Sequence, residues 1–146
     1  MEPWKYIVNV EIAVVRSGRY LVVRRSAAEE YAAGVLALPG GKVDPRIVAD
    51  HVLEVTAKRE LFEEVGLKAI RLEYLKSKSV EIRADTFGVD VVFLAEVEPG
   101  EPTPGDPAEV SELLWLSAEE VFHSREAPAW LVDNICVAQE RVEARG

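Results

Sequence analysis

Glu60, Glu63 and Glu64 stand three and four residues apart in the run Arg59-Glu60-Leu61-Phe62-Glu63-Glu64-Val65-Gly66-Leu67. On a helix that spacing stacks their carboxylates on one face within about one turn. Like charges at i,i+4 cost only roughly 0.2–0.5 kcal/mol per exposed pair, so acidity alone fits an ordinary solvated face. The neighbours argue for more. Arg59 sets a cation beside the carboxylates, Leu61, Phe62 and Val65 supply an apolar face, and Gly66 lies where a helix stops. Upstream, Leu38-Pro39-Gly40-Gly41-Lys42 offers backbone without a Cβ, able to approach a phosphate or a metal closely. Carboxylate oxygens are what Mg²⁺ takes, together with waters and the phosphates of a substrate. The two segments together predict a metal-dependent phosphate site.

Strand followed by helix is the arrangement that would bring these glycines and carboxylates together. Ile7–Val15 alternates apolar and polar residues over its first half, the pattern of a strand with one buried face, and Tyr20–Arg24 is a second β-rich run. Ser17-Gly18 between them reads as a tight hairpin turn. A short strand at Val35–Leu38 ends in the breaker Pro39-Gly40-Gly41, and a helix follows from Asp50 or His51 to Val65, with Asp50 as its N-cap. Two more strands are predicted at Ile70–Ser79 and Phe87–Glu96, the second nearly continuous in apolar residues and so central in a sheet. After a Pro/Gly loop over Pro99–Pro107 come a strand at Leu113–Leu116, a helical turn at Ala118–His123 and a closing amphipathic helix at Ala129–Val142. No internal repeat is visible, and the roughly 40 residues beyond the loop are too few for a domain of their own, so residues 1–146 read as one domain.

The acidic run resembles the Nudix box of the Nudix (MutT-like) hydrolases. That pattern is a glycine, five residues, a glutamate, seven residues, then Arg-Glu-aliphatic-any-Glu-Glu-any-Gly-aliphatic, and Arg59 through Leu67 meet every specified position of its second half. The first half departs. Counted from Gly41, Arg59 comes four residues late, an apparent insertion within Asp44 to Val52. His51 occupies the place of the first glutamate, with Asp50 and Glu54 near it but out of register. Only the box is motif-specific, while the element order resembles the Nudix fold along the whole chain: an α/β fold, an α/β/α sandwich around a mixed sheet.

What the resemblance implies is Mg²⁺-assisted attack of water on a diphosphate linkage, with Mn²⁺ as the alternate ion. The substrate would be a nucleoside diphosphate derivative, a nucleoside triphosphate or related nucleotide, with ADP-ribose among the candidates. By residue-for-residue correspondence, Glu63 and Glu64 would bind metal, Glu60 would bind metal or act as base, and Arg59 would orient a carboxylate, making all four catalytic candidates. Gly40 could lend its carbonyl to the metal, and Glu112 or Glu109, ahead of Trp115, could supply a further ligand or base. Gly41, Lys42, Arg24 and Arg25 are the candidates for substrate contact, although an arginine at a strand end is commonly a solvated edge charge. Where relatives that cleave ADP-ribose carry a proline, and some dinucleoside polyphosphate hydrolases a tyrosine, this chain has Arg83. The alternative is a catalytically silent Nudix-fold module that binds a nucleotide or regulates. Nothing in the sequence pairs His51 or His123 with a nucleophile, and both read as structural.

Composition narrows the partners. A formal charge of −9 and a pI near 4.8 argue against nucleic acid and anionic membrane, both of which want a basic face. Cys136 is the single cysteine, which excludes an intrachain disulfide and a cysteine zinc cluster and suits a reducing cytoplasm. Met1-Glu2-Pro3-Trp4-Lys5-Tyr6 lacks the features of a secretory signal, and no run approaches 18 apolar residues, so a cytoplasmic location is expected. Asparagine and glutamine total three residues against 29% charged, a composition that leans towards a thermophilic source. The N-terminal strand and closing helix leave a homodimer open.

Overall fold

The computed structural model describes residues 4–29 and 32–145; of the N-terminal segment read for a signal, Met1–Pro3 lie outside these. The elements run β1 (Lys5–Arg16), β2 (Arg19–Arg25), β3 (Leu36–Ala37), β4 (Gly40–Lys42), α1 (Val52–Val65), β5 (Ala69–Arg83), β6 (Thr86–Val97), β7 (Val110–Ser117), α2 (Ala118–His123) and α3 (Ala129–Ala144). They build one mixed seven-stranded sheet of order β3-β2-β1-β6-β5, with β4 paired to β1 and β7 to β2. β1 and β6 pair in parallel from Lys5↔Thr86 to Val14↔Ala95, and the other pairings are antiparallel. Ser17 (φ 51°) and Gly18 (φ 75°) both take positive φ in the two-residue turn between β1 and β2, the conformation whose twist matches the flanking strands.

The pleat of β1 sorts the core into two layers. Val10, Ile12 and Val14 face α1, where they pack with Ala57, Leu61 and Val65, with Val91 and Phe93 of β6 and with Leu21 and Val23 of β2. Ala13 faces the other way, towards Leu131, Ile135 and Ala138 of α3, with Tyr20, Val22, Val92 and Leu94 beside it. This is the expected α/β/α sandwich. β6 lies inside the sheet between β1 and β5, as its apolar run required.

Three local expectations need correction. Gly40–Lys42 is a strand rather than only a breaker: Gly40 and Gly41 pair with Glu11 and Val10 of β1, and the Ile12 N–H donates to the Pro39 carbonyl at 2.8 Å. α1 starts at Val52 with His51, in a left-handed conformation (φ 55°), at its N-cap, and no side chain closes that end, so Asp50 does not cap it. Glu11, on the polar half of the β1 alternation, is buried at 8% exposure, because α3 roofs the face that alternation alone leaves to solvent.

Candidate active site

α1 lies against β4, and its acidic face meets the glycines there. A Cβ on Gly41 would push the Glu60 carboxylate aside, and one on Gly40 would run into the Val10 carbonyl of β1, so glycine at 40 lets the strand come this close. The Gly40 N–H donates to Glu64 Oε2 at 3.0 Å. Arg59 donates from Nη2 to Glu60 Oε1 at 2.8 Å and to the Lys42 carbonyl at 3.3 Å, tying the acid, its neighbour and β4 together.

The C-terminal end of α1 is fixed from a second direction. Gly66, at φ 73°, makes a left-handed cap whose N–H donates to the Phe62 carbonyl at 2.9 Å. The Pro/Gly loop then supplies two donors of its own: Thr103 N–H reaches the Val65 carbonyl and Gly105 N–H the Glu64 carbonyl, each at 2.9 Å. Composition marks that loop only as a connection. Its backbone satisfies helix-end carbonyls that would otherwise be left to water, and so holds the turn bearing Glu63 and Glu64.

Electrostatics show how closely the acids gather. Burial pushes the Glu64 carboxyl up to about 7, the charges of Glu60 and Glu109 add to this, and the Gly40 N–H and Arg25 oppose it. Burial also raises Glu60, with Glu63 and Glu109 adding to it and Arg59 acting against. Glu109, just before β7, is thus the acid from that segment that bears on the group. Glu112 is not brought there: across the β2–β7 register it faces Arg24 and accepts from Arg24 Nε at 2.8 Å. Arg24 also binds Glu126 and the Gly34 carbonyl, so its guanidinium joins β7 to two loops. Arg25 pairs with Glu29 at 3.3 Å while its charge reaches Glu64. Lys42 is exposed and contributes its carbonyl to Arg59. A sequence with acids at both 109 and 112 gives no sign of which pairs away with a strand arginine.

Among the described residues no three His, Cys, Asp or Glu side chains already stand at the spacing of a metal cage. The donor chemistry nevertheless fits a hard cation: the half-buried carboxylates of Glu60 and Glu64 hold their protons more tightly than free acids do, and Mg²⁺ takes a few carboxylates and completes its shell with water and phosphate.

A NUDIX domain model matches residues 5–135. The chain belongs to the NUDIX family. Among solved structures, a MutT NUDIX hydrolase from Burkholderia pseudomallei is 26% identical, with a TM-score of 0.74 over 92% of this chain and 97% of that one. A MutT protein from Methanosarcina mazei Go1 is 24% identical, with a TM-score of 0.80 over 98% and 99%. The NUDIX domain of Shewanella oneidensis NrtR, solved with ADP ribose, is 21% identical, with a TM-score of 0.70 over 100% and 91%. At such identity the last two show a shared fold. None of the curated proteins compared matches the sequence. NUDIX hydrolases as a family use divalent metals, and no helix among the described residues is long and apolar enough to cross a membrane.

Proposed function

We propose that residues 1–146 form one NUDIX domain and that it is a Mg²⁺-dependent pyrophosphohydrolase cleaving the diphosphate bond of a nucleoside diphosphate derivative. The observation that carries this reading is Glu64: a carboxyl pushed up to about 7 by burial and by Glu60 and Glu109, yet held by the Gly40 N–H, sits where a bound cation would offset its charge. Glu60, Glu63 and Glu64 would hold the ion, with Gly40 and Glu109 at hand. When bound, it neutralises phosphate oxygens and makes a coordinated water more acidic.

The chain's own groups do the rest. Arg59 aims Glu60 through a charge-assisted hydrogen bond, and Gly41 leaves room for that carboxylate. With its carboxyl raised by burial, Glu60 is suited to take a proton from the attacking water at an oxygen not given to Arg59. Arg25, whose charge reaches Glu64, and Lys42 at the end of β4 are this reading's cations for substrate phosphates. Arg24 is committed to Glu112 and Glu126, so this reading gives it no phosphate.

The NrtR domain was solved with ADP ribose, and this reading keeps ADP-ribose among the candidate nucleotide ligands. Glu112 takes no part in this reading, nor do nucleic acid and membrane, and a reducing cytoplasm is the compartment it suits. Light scattering reports whether a homodimer forms. The test is product chromatography after incubation, with and without Mg²⁺ or Mn²⁺, with nucleoside triphosphates, ADP-ribose, nucleotide sugars and dinucleoside polyphosphates. Metal-dependent cleavage at a diphosphate bond is expected. Tight nucleotide binding without any product would instead favour the catalytically silent module, the reading to which the long β4–α1 loop lends its only support.

A further inference from the structure

The loop between β6 and β7 connects two acids that lie far apart in the chain. The Gly105 N–H donates to the Glu64 carbonyl at 2.9 Å, and the carbonyl of the next residue, Asp106, accepts from the Glu109 and Val110 N–H groups at 3.0 Å each. The backbone of Glu64 is thus linked to that of Glu109 by one hydrogen bond on each side of the Gly105–Asp106 unit. Asp106 stiffens this joint with its side chain, whose Oδ1 accepts from the Ala108 N–H at 2.9 Å. The Ser26 N–H then fixes the far end by donating to the Glu109 carbonyl at 2.9 Å. At the near end Arg16 donates to the Gly100 carbonyl at 2.7 Å and to the Glu98 carbonyl at 3.0 Å, so the loop is tethered at both ends.

Glycine is needed at 105 for room. Its φ is not in the left-handed region, but a Cβ there would fall on the Glu63 carbonyl oxygen of α1. That oxygen belongs to helix backbone and cannot swing aside as a side chain can, so any other residue at 105 forces the loop away from the end of α1. The Glu64 bond and the start of β7 would shift with it.

We propose that Gly105 and Asp106 are positioning residues of the active site, their joint setting Glu109 at a fixed distance from the Glu64 turn so that Glu109 serves the same cation as the α1 acids. The proposal rests on the reading of those acids and Glu109 as the metal site. The charge of Glu109 already bears on both Glu60 and Glu64. Neither Gly105 nor Asp106 belongs to the acidic run that marks the family, and the loop's composition gives no sign of the joint.

Calorimetric titration of the metal-free protein with Mn²⁺ alone tests this without turnover. Glu109→Gln and Gly105→Ala are each expected to weaken Mn²⁺ binding about tenfold. The double variant should be no weaker than Glu109→Gln, because Gly105 acts through Glu109, whereas a merely structural loss would add to it. Asp106 is exposed, so Asp106→Ala is safe for the fold and should weaken binding a few-fold, and Asp106→Asn, which keeps an acceptor for the Ala108 N–H, should restore it. If Gly105→Ala does not fold, the same cycle with Asp106→Ala in its place decides the matter. Losses that add in the double variant, or wild-type affinity in Glu109→Gln or in the loop variants, overturn the proposal while leaving the α1 metal site standing. Wild-type protein that binds no Mn²⁺ overturns both.

Discussion

Glu64 meets two demands that act together, partial burial against β4 and proximity to other acids, and its carboxyl rises to about 7 in consequence. The sign follows from linkage: a carboxyl whose folded value lies above its unfolded value weakens the fold as pH climbs from about 4.5 to about 7. Glu64→Gln should therefore leave metal-free protein at pH 8 as stable as wild type or more so, while reducing Mg²⁺-dependent turnover at least about 100-fold. Thermal unfolding in chelator beside steady-state kinetics checks both halves; a less stable, fully active variant would refute the assignment. Gly41→Ala makes the complementary test. Its methyl would displace the Glu60 carboxylate, so kcat should fall about tenfold or more at little cost in stability, because the far end of a flexible side chain can swing aside, read from the same two assays.

β1 is where element and residue meet, because its two faces serve different layers. Glu11 points to the α3 side, where its carboxyl is pushed up to about 7 by burial first and then by Asp90, while Lys76 and a 3.5 Å hydrogen bond from Asn134 oppose this. Between pH 4.5 and about 7 the folded chain holds a proton there that the unfolded chain has released, so stability falls across that window. Glu11→Gln should stabilise by roughly 1–3 kcal/mol at pH 8 and by almost nothing at pH 4, measured by denaturant unfolding. Alternation along β1 is legible in the sequence; that α3 covers Glu11 is not, since a strand's pattern does not say what roofs it. The same holds elsewhere. The β1–β2 turn, the inner place of β6 and the carboxylate face of α1 follow from local pattern, whereas Gly40–Lys42 becomes a strand only because β1 offers it an edge. His51 replaces Asp50 at the head of α1 for a similar reason, the loop's path overriding capping preference. Arg24 can be assigned only once β7 sets Glu112 opposite it.

The whole molecule carries a formal charge of −9, and the proposed function requires it to admit an anionic substrate to an acidic group. Long-range repulsion is screened by salt, with a Debye length of about 10 Å at 0.1 M. At fixed free Mg²⁺, kcat/KM should therefore rise a few-fold as KCl goes from about 20 to 150 mM, where a basic active-site funnel would make it fall. A steady-state series in KCl distinguishes the two. The central claim, water attacking a diphosphate linkage at the Glu60, Glu63 and Glu64 face, is met most directly by hydrolysis in ¹⁸O-water with Mg²⁺, wild type beside Glu64→Gln, and mass spectrometry of the products. The account predicts one ¹⁸O in a phosphoryl group of one product for wild type and essentially no product for the variant. Label absent from both products, or equal turnover by the variant, would contradict it.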